Sequence, residues 1–355
     1  MELESALLEV HRAEGATLGT YYGCTLPAHY GSVEAEYRAA RESVALADTN
    51  FHAVSRFEGP DRARYLNAVL TSNVRDLTPG HGTIGLLLNA QGHILDEIET
   101  LALEDSILAI SYVSAGAATY AHLEKFIIMD DVTLTDLTAS TGSLAISGPR
   151  AAELLLARTG VDLKTMAVHD HVTAQFAAIP CRIVRRAFPG VEIFVKREHL
   201  AALWTGLRAA IAQFGGRPIG YEAINVLRLE AGQPMAGVDF DEKQIPHEAG
   251  LEESHISYDK GCYTGQEIVE RVRSRGQVNR RRVGLRFDGA TAPAPGAKLL
   301  AGGAEVGQVT SAAYSFAAAA PIGMGMLRRE HTTPGRQLQC NGGTAEVIEL
   351  PLPKK

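Results

Sequence analysis

No apolar run in this chain of 355 residues reaches the roughly 18–20 that a transmembrane helix needs, so a membrane-spanning protein is not expected. Cysteine is scarce. The four present, Cys24, Cys181, Cys262 and Cys340, are scattered with no C-x-x-C pair. That spacing serves neither a disulfide framework nor a structural zinc site, and poorly serves an iron–sulfur cluster held by one chain. Positive charge is not in excess: 34 Lys and Arg face 41 Asp and Glu, for a net charge of −7 and a pI of about 6.0. The chain as a whole is therefore not steered to nucleic acid or an anionic membrane, although a local basic patch can still bind an anion. The N-terminus, Met1-Glu2-Leu3-Glu4, is acidic and lacks the basic start of a secretory signal and the Arg/Ser-rich look of a transit peptide, so a cytoplasmic location is expected. There is no 20–50-residue repeat, and the alanine-rich stretch 312–320 is too short to count as low complexity.

What remains is an ordinary globular composition, 46% hydrophobic and 21% charged. A single core stops growing near roughly 250–300 residues, so more than one packing unit is expected. Apolar spacing predicts a helix over 33–44, a strand over 51–57 and, past the Gly59-Pro60 break, a helix from Asp61. Strands over 82–88 and 94–103 flank the turn Asn89-Ala90-Gln91-Gly92 as a hairpin. A strand over 107–113, a helix over 117–129, and strands over 132–137 and 143–147 follow. Pro149 suits the first turn of a helix over 150–159. Strands near 181–186 and 191–196 precede helices near 198–213 and 220–231. Interleaved strands and helices make the class α+β or α/β. After about residue 283 short strand candidates follow one another between Gly and Pro, the pattern of a small β-barrel or sandwich. The division expected is 1–280, itself in two subdomains, and 281–353, with the linker at 280–283.

The most informative segment is 258–286. Gly261 and Gly265 frame Cys262, Tyr263 and Thr264, which permits a tight loop and close approach by a ligand. Thr264 or Gly265 leads into a helix from Gln266, whose exposed amides favour anions. That field, with Lys260 nearby, would raise the thiolate fraction of Cys262. Against this, a lone cysteine is commonly a small buried hydrophobe. Arginines 271, 273 and 275 alternate as on one face of a strand, and Arg280, Arg281, Arg282 and Arg286 follow. Such guanidinium forks suit carboxylates or phosphates, whereas the plainer reading is a solvated surface paired with Glu267 and Glu270.

The run Lys260-Gly261-Cys262-Tyr263-Thr264-Gly265-Gln266-Glu267, followed by Arg271 and Arg275-Gly276, resembles the signature of the YgfZ family of folate-dependent iron–sulfur proteins. More widely the chain is similar to the glycine-cleavage T-protein superfamily. The similarity lies in Glu36-Tyr37-Arg38 to Asp48, Gly59–Leu66, Leu87–Asp96, Gly148-Pro149, Leu227–Gly232 and Pro246–Leu251, and it covers roughly residues 20–350. The resemblance implies α+β domains around a central folate channel, closed by a C-terminal β-barrel, with tetrahydrofolate or a derivative as ligand. It implies Asp96 near the reactive folate nitrogen and Glu192 and Arg228 at the folate. In the signature it points to Cys262 as the key residue, with Lys260, Tyr263, Gln266 and Arg275 on the ligand. Two departures matter. The stretch Ala187–Glu192 is shorter than its T-protein counterpart, and T-proteins lack the Gly-Cys pair. Cys262 therefore points to a role in assembly or repair of iron–sulfur clusters, with client or assembly proteins as partners. The alternative is a folate-dependent aminomethyltransferase or related one-carbon transferase, with acid–base work on Asp96.

Plainer readings stand beside these. Asp96 and Glu97 read equally as a polar strand edge, and Arg228 as a helix-surface charge. His169 and His171 would share a face in a strand, but no third metal ligand is evident, and a polar loop is the simpler reading. His247 and His255 bracket the segment before the signature and offer little more.

Overall fold

The computed structural model describes residues 3–353, with the side chains of Leu3, Glu4 and Arg275 outside that description. Two compact units result. The first takes residues up to 85, 97–224 and 257–261; the second takes 86–96, 225–256 and the chain from 262 onward.

The first unit opens with β1 (Leu3–Glu4), α1 (Leu8–Ala13), β2 (Thr17–Tyr21) and β3 (Cys24–His29), whose strands form a small sheet in the order β1-β3-β2. The helix α2 (Val33–Glu42) begins where the Ser32 hydroxyl accepts from the Ala35 amide, relieving one of the orphan donors at a helix start. Then follow β4 (Ala45–Asp48), β5 (His52–Glu58), α3 (Arg62–Val69), β6 (Gly82–Leu88), β7 (Ile94–Ala102), β8 (Ser106–Tyr112), α4 (Val113–Lys125), β9 (Thr133–Asp136), β10 (Thr141–Ser147) and α5 (Ala151–Thr159). After them come β11 (His171–Phe176), β12 (Ile179–Arg185), β13 (Val191–Lys196), α6 (Leu200–Ala212), β14 (Arg217–Pro218) and α7 (Tyr221–Glu230); the end of β6 from Leu86, the start of β7 to Asp96 and α7 from Asn225 count with the second unit. One sheet runs β6-β7-β8-β5-β9, and a larger one runs β11-β12-β13-β10-β4-β14. Leu144, Ile146, Ile183 and Ile193 of the larger sheet pack under Leu154 and Leu155 of α5 and Leu203, Trp204 and Leu207 of α6. A second cluster joins Val54, Leu101 and Ile110 of the five-stranded sheet to Val184 and Phe194 of the six-stranded one. Each fully buried Leu, Ile or Phe adds roughly 1.5–3 kcal/mol by leaving water.

In the second unit, α8 (Pro246–Ala249) and α9 (Gln266–Arg275) precede six strands: β15 (Arg280–Phe287), β16 (Lys298–Ala301), β17 (Ala304–Ser315), β18 (Ala320–Arg328), β19 (Gln337–Cys340) and β20 (Gly343–Ile348). They close into a barrel in the order β15-β18-β17-β16-β19-β20 around Leu285, Phe287, Leu299, Val309, Leu327 and Val347. The class is thus α+β with a C-terminal closed barrel, as expected. Among the described residues no helix is long and apolar enough to cross a membrane.

Three local expectations need correction. Arg271 and Arg273 stand on a helix, because Val269 and Val272 share its turns and i,i+4 and i,i+3 pairs to Glu267 (3.2 Å) and Glu270 (3.6 Å) hold the arginines. Residues 280–283 are the start of a barrel strand and no linker, with Arg281 paired across the ladder with Leu327. The helix expected over 117–129 begins at Val113 and ends at Lys125, leaving Ile128 and Met129 exposed.

Arg228 is neither a surface charge nor loosely held. It is 2% exposed, and its guanidinium donates to Asp239, to Asn225 Oδ1 (2.9 Å) and to the Gln233 carbonyl (3.4 Å). Asp239 in turn accepts from Thr310 (2.5 Å), Ser311 (2.6 Å) and the Met235 amide (3.0 Å). Removing one partner of a buried ion pair strands the other. Arg228→Ala should therefore cost about 3–5 kcal/mol in urea unfolding, and the Arg228→Ala/Asp239→Ala pair clearly less than the sum. A loss below about 1 kcal/mol for the single variant would contradict this account.

Candidate functional site

Charged groups are rarely buried together unless each is answered, and the first unit holds such a set. Glu99 on β7 and Glu192 on β13 are 4% and 1% exposed. Between them Arg186, one residue past β12, lies 2.5 Å from Glu99 Oε2 and 2.9 Å from Glu192 Oε2. His169 Nδ1 meets Glu99 Oε1 at 2.6 Å, and His52 Nε2 meets Glu192 Oε1 at 2.8 Å. Alongside, the Tyr112 hydroxyl donates to Glu97 Oε2 at 2.8 Å. Burial opposes the charge on Glu192, yet Arg186 and His52 outweigh it and hold the carboxyl at about 2. Glu99 is lowered in the same way, burial being overcome by Arg186 and His169. Glu192 Oε1 and Glu99 Oε2 meet their charged partners off-line for a full hydrogen bond, while His52 and Thr49 both help to hold Glu192 ionised.

This cluster was largely hidden in the sequence. The sequence points to Glu192, and to His169 only as a partner of His171; Glu99, Arg186 and His52 carry no motif of their own there. The one local signal is acid in an apolar strand, Glu97 and Glu99 alternating within β7, where neither is a solvated edge. His169 and His171 do not act as a pair. His169 sits in a loop at φ 72° facing Glu99, whereas His171 accepts from Arg182 (2.6 Å). Burial first, and Arg182 second, keep His171 neutral down to about 4.

Lys260 is fastened into the first unit. Its ammonium donates to the carbonyls of Asn67 (2.6 Å), Leu70 (2.5 Å) and Ser72 (2.7 Å), satisfying the carbonyls at the end of α3. Burial lowers the amine to about 8, so at neutral pH it is still an ammonium with all three protons used. Its charge serves those carbonyls.

Cys262, in the second unit, is exposed; Cys340 of that unit and Cys24 and Cys181 of the first are buried. Tyr263 is 7% exposed, and Gln266 is the first residue of α9, as the glycine-framed loop implied. Gly265 caps that helix at φ 83°, and a Cβ there would lie 2.7 Å from the Asn89 carbonyl oxygen. Glycine is required for both reasons. Gly92 meets Ile268 in the same way, at 2.9 Å from an added Cβ, so the hairpin turn 89–92 and the start of α9 press together. Gly261 meets nothing. Asp96, 5% exposed, follows that turn on β7. His247 belongs to α8, and His255 Nδ1 is bound to the Ser254 hydroxyl (2.7 Å). Arg275 ends α9; its side chain lies outside the described residues.

Comparison with known proteins places this architecture. The family described as the GCVT N-terminal domain matches residues 7–260, and the glycine cleavage T-protein C-terminal barrel domain matches residues 280–352. The chain belongs to the glycine-cleavage T-protein family. Among T-protein relatives, an aminomethyltransferase of Saccharopolyspora erythraea is 30% identical over 98% of this chain and 97% of its own length. One of Streptomyces coelicolor is 30% identical over 99% and 97%. The solved glycine cleavage system aminomethyltransferase T from Bartonella henselae shares the fold, with a TM-score of 0.90 at 24% identity over 99% of this chain and 98% of that one. The α+β arrangement with a six-stranded closed barrel is therefore the T-protein fold.

The charged cluster makes a pH prediction. Glu192 titrates lower folded, at about 2, than its ordinary 4.5, so its stabilisation is complete above about pH 4.5 and is lost as pH falls toward 2. The loss is on the order of 3 kcal/mol. Urea midpoints between pH 2 and 6 should fall steeply for the natural chain and less steeply for Glu192→Gln. Parallel profiles would remove the role given to this carboxylate.

Proposed function

We propose that the protein binds tetrahydrofolate and handles a one-carbon unit carried on it, as an aminomethyltransferase-type protein. The observation that carries this is the buried, ionised Glu192 beside His52 and Arg186. A reduced pterin presents N–H donors along one edge and needs acceptors that stay charged at neutral pH. Glu192 is such an acceptor, and Arg186 keeps the group ionised while blocking its protonation. The acceptor chemistry of Glu192 thus fits the ligand. When bound, tetrahydrofolate supplies the nitrogen that carries the one-carbon unit. Asp96, buried on β7, is the residue we assign to proton transfer, as the T-protein resemblance implies. Arg228 is assigned an indirect part: tied to Asp239, it stiffens the wall of its own unit. The names of the relatives support transfer of an aminomethyl group.

One observation favours a second reading, support of iron–sulfur enzymes. Cys262 is exposed, in a loop whose far end Gly265 fixes at the start of α9, and Tyr263, Gln266 and Arg275 complete the signature. A single thiolate cannot hold a cluster, so this reading has Cys262 acting on a client or assembly protein that brings further ligands.

The two readings separate experimentally. Calorimetry should detect tetrahydrofolate, weakened at least tenfold by Glu192→Gln; equal affinity in the variant would sink the folate assignment. For the transferase, methylene-tetrahydrofolate should form from an aminomethyl-lipoyl carrier, fall about 10²–10⁴-fold in Asp96→Asn and persist in Cys262→Ser. If instead no product forms, and a deletion strain regains its iron–sulfur enzyme activities with the natural chain but not with Cys262→Ser, the second reading stands.

A further inference from the structure

Two neighbouring arginines at the start of β15 are answered within the second unit. Arg281 meets Glu252 at 3.1 Å, and Arg282 donates to the Ala249 carbonyl at 2.7 Å. Arg280 is different. In the β15–β18 ladder it stands directly opposite Arg328, and both side chains are exposed. Like charges placed directly opposite each other on a sheet repel and lower its stability. Among the described residues neither arginine has an ion pair or a side-chain hydrogen bond. The carboxylate that feels them, Glu305, is taken by Lys298 at 2.8 Å. Lys298 does most to lower its pKa, and Arg328 and Arg280 add less.

Both arginines line a cavity of about 540 Å³ that belongs wholly to the second unit. That is within the roughly 300–1,000 Å³ of small-molecule sites, but here the lining is mostly polar. The barrel strands supply Arg280, Arg328 and Gln308, and the segment 238–248 supplies the rest of the enclosure. The charges of that segment divide by whether they are used. Asp239 is saturated by Arg228 and its neighbours. Asp241 is held by Lys243, through the amide at 2.8 Å and the ammonium at 3.4 Å. Glu248 is not used up. Its Oε2 accepts only a long bond from the Ile245 amide, 3.4 Å, and among the described residues no cation pairs with it.

The cavity therefore has two unanswered guanidiniums on its strands and one unanswered carboxylate on the segment that covers them. No ion pair joins the two sides. A simple anion would gain the arginines but bring its charge near Glu248, Asp241 and Glu305. A simple cation would gain Glu248 and meet the arginines. A molecule with both charges meets neither objection, since guanidinium forks suit a carboxylate and Glu248 suits an ammonium.

We propose that this cavity binds a small zwitterion, a free amino acid, with its carboxylate across Arg280 and Arg328 and its ammonium on Glu248. None of the residues assigned above to tetrahydrofolate takes part, so the site is an additional one. A ligand that binds only the folded chain stabilises it by mass action. Occupancy also relieves the repulsion between the two arginines.

The test is thermal melting of the full chain with each common amino acid in turn at millimolar concentration, followed by calorimetry on those that stabilise it. At least one should raise the melting temperature by a few degrees, and its N-acetyl and carboxamide derivatives should not. Glu248→Gln, which keeps an acceptor for the Ile245 amide, and the double variant Arg280→Gln/Arg328→Gln should each weaken binding about 10–100-fold. Without ligand, Arg328→Gln should melt no lower than the natural chain, because the repulsion is gone. A lower melting temperature for that variant would show that Arg328 is already answered and would overturn the proposal. So would the absence of any stabilising amino acid, or equal binding by the Glu248 and double-arginine variants. Binding of inorganic phosphate or of the N-acetyl derivative as tight as that of the amino acid would make this a plain anion site and overturn the zwitterion.

Discussion

The interior of the first unit depends on one guanidinium. Arg186 lies between Glu99 of the five-stranded sheet and Glu192 of the six-stranded sheet. Without it, two carboxylates would share a water-poor space, and one would have to take up a proton or the sheets would have to part. With it, the sheets are joined by charge where they are also joined by Val54, Leu101, Ile110, Val184 and Phe194. The apolar contacts supply attraction without direction. The ion cluster supplies a fixed orientation, because the guanidinium fork answers two particular carboxylates.

That arrangement is costly as a means of stability alone. Buried ion pairs often contribute no more than a well-packed apolar set of the same volume. Their retention here is understandable if ionised carboxylates are what the site requires, with His52 and His169 as the neighbours that let them stay charged. The Asp239–Arg228 pair of the second unit follows the same rule, but its carboxylate is saturated by Thr310, Ser311 and Met235. Its capacity is spent on holding a loop against the barrel.

Much of the architecture was legible in the chain because it rests on local regularities. The barrel strands announce themselves by alternation and Gly/Pro punctuation, and α9 by the glycines before it. The family resemblance drew attention to Asp96, Glu192 and Arg228, and the structure buries all three. What escaped is non-local. Glu99, Arg186, His52 and His169 meet only after β5, β7, β12 and β13 are laid side by side, and no spacing in the chain encodes that meeting. The arginines 271, 273 and 275 misled for the opposite reason: their alternation looked like a strand, but the apolar partners that bury this segment, Val269 and Val272, are three apart and fit a helix. The sequence presents Lys260 as a charge for the neighbouring thiol, yet the carbonyls of Asn67, Leu70 and Ser72 claim its ammonium.

The closed ring of β15 to β20 carries a consequence for how other proteins could meet this chain. A sheet with free margins invites an extended peptide to add itself by main-chain pairing. A closed cylinder leaves such margins only where its ladders stop short, as at Arg280–Val283 of β15 and past Gln308 on β17. Over the paired stretches a macromolecule meets only side chains and connecting loops, so selectivity there is written in surface residues that can change without disturbing the strands beneath them.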